Sequence, residues 1–198
     1  MSIDGWGVLV PVKAFSAAKA RLAPALDPDR RALMARSMAT RVVLAADPLP
    51  VAVVCDDLEV AAWAESLGAT VFWEPRRGLN GAVESGVARL AAGGTSNVIV
   101  VHGDLPFAHD LPRLAGFAGI TLVPDRREDG TNVVCLPASS GFRFSYGPGS
   151  FARHRAEARR IHMDLQILHI ASLAWDVDVP EDIPDPPPDG GAGLLQQQ

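Results

Sequence analysis

Thiols are scarce in this chain of 198 residues: Cys55 and Cys135 are the only cysteines, and no Cys/His spacing suggests zinc. Each sits inside or beside an apolar run, Val51-Ala-Val-Val-Cys55 and Asn132-Val-Val-Cys135-Leu136. Both are therefore expected as buried free thiols in strands, not as a disulfide or a nucleophile. No apolar run approaches the ~20 residues that would span a membrane. The opening stretch, Met1-Ser-Ile-Asp-Gly-Trp-Gly7, is acidic and short, unlike a secretory signal, and the expected location is the cytoplasm. A basic surplus is missing as well. The formal net charge of −5 argues against a general nucleic-acid binder, so an anionic ligand would need a local basic cluster. Neither a Walker pattern nor Gly-x-Gly-x-x-Gly occurs, which excludes a P-loop ATPase and a dinucleotide-binding enzyme. No Ser-His-Asp ordering stands out.

What is present is enough apolar material, 48% of 20.9 kDa, for one sizeable core. The clearest element is Asn97-Val-Ile-Val-Val-His-Gly-Asp104-Leu-Pro106. Its four β-branched residues in a row predict a strand buried on both faces in the middle of a parallel sheet. The run stops at Gly103, which delivers the Asp104 carboxylate just past the carboxyl end of that strand. Further strands are expected at 7–12, 51–55, 69–73, 120–123, 131–136 and 165–170. Helices are expected at 30–46, 57–67, 79–92, 109–114 and 151–160. Strands alternating with helices through the first 115 residues indicate βαβ units, hence an α/β fold. Residues 1–183 are read as one domain. From 184 to 198 the composition turns to Pro, Gly and Gln, predicting a disordered tail.

Four constellations could carry chemistry. Lys13, Lys19 and Arg21 follow the first strand on the rim where open α/β sheets bind ligands, and three cations in nine residues suit phosphates. Asp104 forms an acid set with Asp176 and Asp178 of Trp175-Asp-Val-Asp-Val-Pro-Glu-Asp182. Such a set suits Mg²⁺, which is usually held by one or two carboxylates plus substrate phosphates. Of the two closely spaced acids, one is expected to look into the site. The other is expected to cap or orient the helix that begins near Pro180, worth ~1 kcal/mol. Gly130-Thr131-Asn132 and the loop Phe144 to Ser150 would expose backbone N–H groups at a helix start, a cradle for phosphate or carboxylate. Arg153 and Arg155 could add charge there, whereas His154 and His162 read as surface residues. Gly78-Leu79-Asn80 opens a helix on the same rim, where Asn80 either reads a base edge or serves as an N-cap.

Taken in order, these pieces resemble the 2-phospho-L-lactate or phosphoenolpyruvate guanylyltransferases of coenzyme F-420 biosynthesis. The matching segments are Pro11-Val-Lys13 with Ala18-Lys-Ala-Arg-Leu22, Gly78-Leu-Asn80, Gly103-Asp-Leu-Pro106, Gly130-Thr-Asn132, Phe144 to Ser150 with Arg153-His-Arg155, and Asp176 to Asp182. Gly-Asp-Leu-Pro alone indicates the wider nucleotidyltransferase superfamily; the Gly-Thr-Asn and Gly-Pro-Gly-Ser-x-x-x-His pair narrows it. One departure is Val179, where the family more often has Thr. The resemblance implies a Rossmann-like nucleotidyltransferase fold with a mostly parallel mixed sheet flanked by helices on both faces. It implies GTP as substrate, Mg²⁺ as cofactor and transfer of GMP to a phosphorylated three-carbon acid with release of pyrophosphate. Asp104 with Asp176 or Asp178 would be the metal ligands, and Thr131, Gly147 and Ser150 the acid contacts. Lys13, Lys19 and Arg21 would hold the triphosphate, and Gly78, Leu79 and Asn80 would face guanine. The expected partners are small molecules, with no nucleic acid and no membrane; a homodimer is compatible with the sequence. Two alternatives stand beside this reading. One is a molybdenum-cofactor or sugar-nucleotide transferase of the same fold, which would carry a glycine-rich loop straight after the first strand. The other is a non-catalytic GTP-binding protein.

Overall fold

Seven strands form one sheet in a computed structural model that describes residues 3–184. In chain order they are β1 (Trp6–Pro11), β2 (Val51–Cys55), β3 (Thr70–Trp73), β4 (Asn97–Val101), β5 (Ile120–Pro124), β6 (Thr131–Pro137) and β7 (Leu165–Ile167). The helices are α1 (Pro28–Leu44), α2 (Leu58–Ser66), α3 (Gly78–Ala92), α4 (Ser150–Arg160) and the single turn α5 (Ala171–Ala174). The sheet order is β3-β2-β1-β4-β6-β5-β7. Strand β6 runs antiparallel to both β4 and β5, and every other pairing is parallel. The expected mostly parallel mixed sheet is therefore present. The expected disordered tail, apart from Pro184, lies outside the described residues.

The central strands read as unbroken apolar runs because both of their faces are covered. With a period of two, Val8, Val10, Val53, Cys55, Ile99 and Val101 face a core that includes α1 and α2. Leu9, Ala52, Val54, Val98 and Val100 face the opposite core, which includes α3 and α4. Both cysteines are free and buried, and burial pushes both thiols up, away from the reactive thiolate. On the second face the fit is close. A Cβ at Gly86 of α3 would stand 2.7 Å from a methyl of Leu9, so glycine lets this helix settle on β1.

The helix starts follow from side chains. The Asp27 carboxylate accepts the Arg30 N–H at 2.8 Å with Pro28 in the first turn, and Asp57 accepts the Val60 N–H at 3.0 Å. The weakest expectation was at the far edge. The strand expected at 165–170 is shorter: β7 stops at Ile167 and α5 follows from Ala171. Register pairing of β7 with β5 ends at Leu122–Ile167, and the Leu168 N–H makes the last bond between them, to the Leu122 carbonyl at 3.0 Å. No helix among the described residues is long and apolar enough to cross a membrane.

Candidate active site

The chain leaves β1 to build β2 and β3 on one side, then returns to place β4 on the other. At that reversal the carboxyl ends of β1 and β4 splay their following loops apart, the position where open α/β sheets hold ligands. A cleft of about 550 Å³ opens there, within the range of small-molecule sites. It is lined from one side by Lys13, Lys19, Arg21 and Asp104, and from the other by Thr131, Gly147 and Ser150. Asp176, Asp178 and Leu79 also line it, whereas Gly78 and Asn80 do not.

Asp104 is where the buried β4 run predicted it. Lys19, 85 residues earlier, donates from Nζ to Asp104 Oδ2 at 2.6 Å and to Asp178 Oδ1 at 3.3 Å. Arg21 Nη1 lies 3.6 Å from the other Asp178 oxygen. The Lys19 side chain is only 10% exposed. Burial disfavours its charge, but Asp104 and Asp178 outweigh that and hold the ammonium pKa above its usual 10.5. For Asp104 burial works against the carboxylate, and Lys19 reverses the balance to lower its pKa. The Lys19 backbone is left-handed, with φ 55°, a conformation costly for a non-glycine residue and found where a side chain must be aimed.

Both Asp176 and Asp178 reach the cleft. The expectation that only one would do so is corrected by the strand period. In an extended segment residues i and i+2 share a face, and it is Val177 between them that turns inward, to pack with Leu22 and Met38. The Val177 N–H also donates to the Asp104 carbonyl at 3.4 Å, tying this segment to the end of β4. Burial, followed by the charges of Asp104 and Asp178, raises the Asp176 pKa to about 6. Asp104 Oδ1 and Asp176 Oδ1 are both buried with no hydrogen-bond partner.

Neither acid caps the turn at Pro180. Asp182, 1% exposed, does so from within, accepting the Asp178 and Val179 N–H groups at 2.8 and 2.9 Å. Its other oxygen binds the Arg126 guanidinium and Arg127 Nη2, the latter at 2.7 Å. Arg126 in turn lies 3.8 Å above the Trp175 ring, and Trp175 Nε1 donates to the Asp182 carbonyl at 2.9 Å. Asp182 thus fixes the segment carrying both cleft acids to the β5–β6 turn. Its signal in the sequence was faint, an acid inside an otherwise ordinary Pro-Glu-Asp turn.

On the opposite wall the expected cradle of open N–H groups does not form. The Gly149 N–H donates to Asp129 Oδ2 and the Phe151 N–H to the Asp129 carbonyl, each at 3.0 Å. The Ser150 N–H donates to the Gly147 carbonyl at 3.0 Å, and the Gly130 N–H to Asp125 Oδ2 at 2.8 Å. Acceptors from the β5–β6 turn and from Gly147 consume these four donors, which leaves the Thr131 and Ser150 side chains and the Gly147 backbone to line the cleft here. Arg153 is also spent on structure, clamping the carbonyls of Ser145, Gly147 and Pro148. Arg155 sits over the Phe151 ring at 5.4 Å. The Asn132 amide holds the Leu173 carbonyl at 3.0 Å.

Asn80 takes neither expected role. It lies inside α3, with Arg77 at the N-cap, and its Oδ1 accepts the Tyr146 N–H at 2.7 Å. Nor is His154 on the surface: it is fully buried beside Phe142, Phe144 and Tyr146. Its position was masked because α4, Ser-Phe-Ala-Arg-His-Arg-Ala-Glu-Ala-Arg-Arg, reads as a solvated basic helix. Desolvation lowers the His154 pKa to about 4, so the ring is neutral.

Comparisons with known proteins bear on the fold and the family. The fold is that of nucleotidyltransferases. A protein put forward as a nucleotide-diphospho-sugar transferase, from Desulfovibrio desulfuricans G20, superposes with a TM-score of 0.71 at 15% identity, covering 90% of this chain and 84% of its own. A nucleotidyl transferase from Methanothermobacter gives 0.61 at 13% identity, covering 89% and 93%. In sequence, the phosphoenolpyruvate guanylyltransferase of Sphaerobacter thermophilus is 35% identical over 184 residues, 88% of this chain and 89% of its own. That of Thermomonospora curvata is 37% identical over 189 residues, 90% and 81%. Residues 6–185 match the family described as "Guanylyl transferase CofC like". The chain belongs to the CofC-like guanylyl transferase family.

Proposed function

We propose that this enzyme transfers GMP from GTP to the phosphate of a three-carbon acid in coenzyme F-420 biosynthesis. The acceptor is phosphoenolpyruvate or 2-phospho-L-lactate, the former being the acid named in the relatives. The observation that carries this reading is the pairing of cleft walls. Lys13, Lys19 and Arg21 stand with the three carboxylates on one side, and Thr131 and Ser150 on the other.

The acceptor supplies its own nucleophile. A phosphate monoester has a second pKa near ~6 and is largely dianionic at neutral pH, so no general base is required. One of its oxygens forms a bond to the α-phosphorus of GTP while the bond from that phosphorus to the β-phosphate bridging oxygen breaks. The leaving group is pyrophosphate. The protein's task is alignment and charge neutralisation. Lys13, Lys19 and Arg21 hold the triphosphate, Leu79, which lines the cleft, faces guanine, and Thr131, Gly147 and Ser150 contact the acid.

The donor set fits a magnesium ion. Two buried carboxylate oxygens, Asp104 Oδ1 and Asp176 Oδ1, have no partner, and the Lys19 ammonium already draws Asp104 and Asp178 to one cation. Among the described residues no three acids form a closed cage, in keeping with Mg²⁺, which completes its coordination with substrate phosphates and water. Asp104 with either Asp176 or Asp178 would hold it. Bound there, Mg²⁺ would neutralise charge on the triphosphate as pyrophosphate departs.

The test is pyrophosphate release with GTP, ATP or CTP against phosphoenolpyruvate, 2-phospho-L-lactate and 3-phosphoglycerate. Release that requires GTP and one of the first two acids is expected. Preference for ATP or CTP would overturn the base assignment, and GTP binding without release under every combination would point to a non-catalytic protein.

A further inference from the structure

Behind the wall that carries Thr131 and Ser150 lies the buried His154, which plays no part in the chemistry above. Ser150 and His154 are four residues apart on α4 and so share one face of the helix. The hydrogen bonds of His154 determine its tautomer. The Ser145 backbone N–H lies 3.0 Å from Nε2 and can only donate, so Nε2 must be the bare nitrogen. The proton of the neutral ring is then on Nδ1, which faces Thr131 Oγ1 at 3.1 Å. Oγ1 therefore accepts. Thr131 is 2% exposed and its hydroxyl has no other partner among the described residues, yet the residue lines the cleft. Its proton is left for a ligand.

We infer that His154 is a positioning residue for the acceptor: by donating to Thr131 Oγ1 it fixes that hydroxyl as a donor aimed at an anionic oxygen of the bound acid. A free threonine hydroxyl can present either a lone pair or a proton, and only the second helps a phosphate or carboxylate. The aromatic enclosure of Phe142, Phe144 and Tyr146 supports this arrangement, since a charged ring would need a second proton on Nε2, against the Ser145 donor. Asn80 braces the same loop through Tyr146. The inference rests on Thr131 belonging to the acceptor subsite, as proposed above.

A double-mutant cycle in the pyrophosphate-release assay separates the two ideas. Thr131→Val removes the hydroxyl at nearly constant shape, and the KM for phosphoenolpyruvate should rise at least about tenfold with that for GTP little changed. His154→Gln reaches the Ser145 amide but not Thr131, and should raise the same KM to a similar degree. Combining the two should add almost nothing to Thr131→Val alone. His154→Asn carries an amide N–H near the place of Nδ1 but cannot serve Ser145. It should keep the KM within about threefold of the parent despite losing that structural bond, because the charge-assisted contact to the acid is retained. A raised KM in Thr131→Val with parental values in His154→Gln would overturn the inference while leaving the acceptor subsite standing. So would effects that multiply in the double variant, or a KM in His154→Asn as high as in His154→Gln. An unchanged KM in Thr131→Val would instead overturn the subsite itself.

Discussion

Along the β1–β4 wall of the cleft, Lys19, Arg21, Asp104 and Asp178 meet as ions, from the 10% exposed Lys19 to the 73% exposed Arg21. Along the β6–α4 wall, Thr131, Ser150 and His154 meet as neutral groups out of water. The first arrangement can be exchanged. A nucleotide and its cation offer Lys19 and Asp104 new partners of the same kind, so the ion pairs keep the site assembled without locking it. The second arrangement cannot be exchanged cheaply, because the two His154 ring nitrogens already have partners in Ser145 and Thr131 whose loss leaves them unsatisfied. The contrast suits the proposed division of labour between a large, highly charged donor and a small acid that must be aligned.

Replacing Asp104 by Asn tests the charged wall most severely. Pyrophosphate release should fall on the order of a thousandfold or more, as expected when a group neutralising transition-state charge is lost. Thermal unfolding should change little. The lost attraction to Lys19 is offset by relief of the repulsion that Asp104 exerts on Asp176. A variant that unfolds early, or one that retains a tenth of the parental rate, would break the view of this wall as functional rather than structural.

The neutral wall should show itself in stability against pH. With its folded pKa near 4 and the ordinary histidine value of 6.5 when unfolded, His154 binds fewer protons in the folded chain between those limits. Stability is then whole above about pH 6.5 and declines as pH falls toward 4, by about 3 kcal/mol in all. Denaturant titrations of the parent and of His154→Asn across that range should differ in slope, and equal slopes would place the charged ring comfortably in the fold.

Asp182→Asn sits between the two walls and should disturb both properties. Removing a buried charge that holds two arginines costs about 3 kcal/mol, a fall in melting temperature of roughly 6–12 °C for a chain of this size. The turn that presents Asp178 also loosens, so activity should drop even well below the melting point. Unimpaired turnover in that variant would show that the clamp is not needed to place the acid. The smallest expected effect is Asp57→Ala, which removes the cap of α2 away from the cleft. A loss of about 1 kcal/mol in chemical denaturation with unchanged kcat marks what a purely structural change does here.

Much of this was legible from residues alone. The β4 run ending in Gly103-Asp104 and the cations after β1 pointed to one rim. Asp27, Asp57 and the paired glycines 93 and 94 stand at helix ends, where a capping or stop residue is expected. These signals are local: a strand covered on both faces must be apolar throughout, and a helix start needs an acceptor. The second half was less readable. Pro124 to Gly130 reads as a charged turn, but Asp125 accepts the N–H groups of Asp129 and Gly130 within it, and Asp129 accepts that of Gly149 in the glycine loop. The burial of His154 had no local sign, because α4 carries four arginines and a glutamate among its residues, and Phe142, Phe144 and Tyr146, folded over from the preceding loop, remove the ring from water.

The sequence by itself determined the sheet's central strands, the rim at which chemistry would occur and the kinds of group gathered there, since apolar runs and turn residues act over a few neighbours. Only the tertiary structure decided how those groups are used. It set Lys19 between Asp104 and Asp178 and turned the face shared by Asp176 and Asp178 toward the cleft. It spent the loop's N–H groups internally and placed a neutral histidine behind Thr131. Each of these depends on contacts between segments tens of residues apart, whose geometry no short stretch of chain contains.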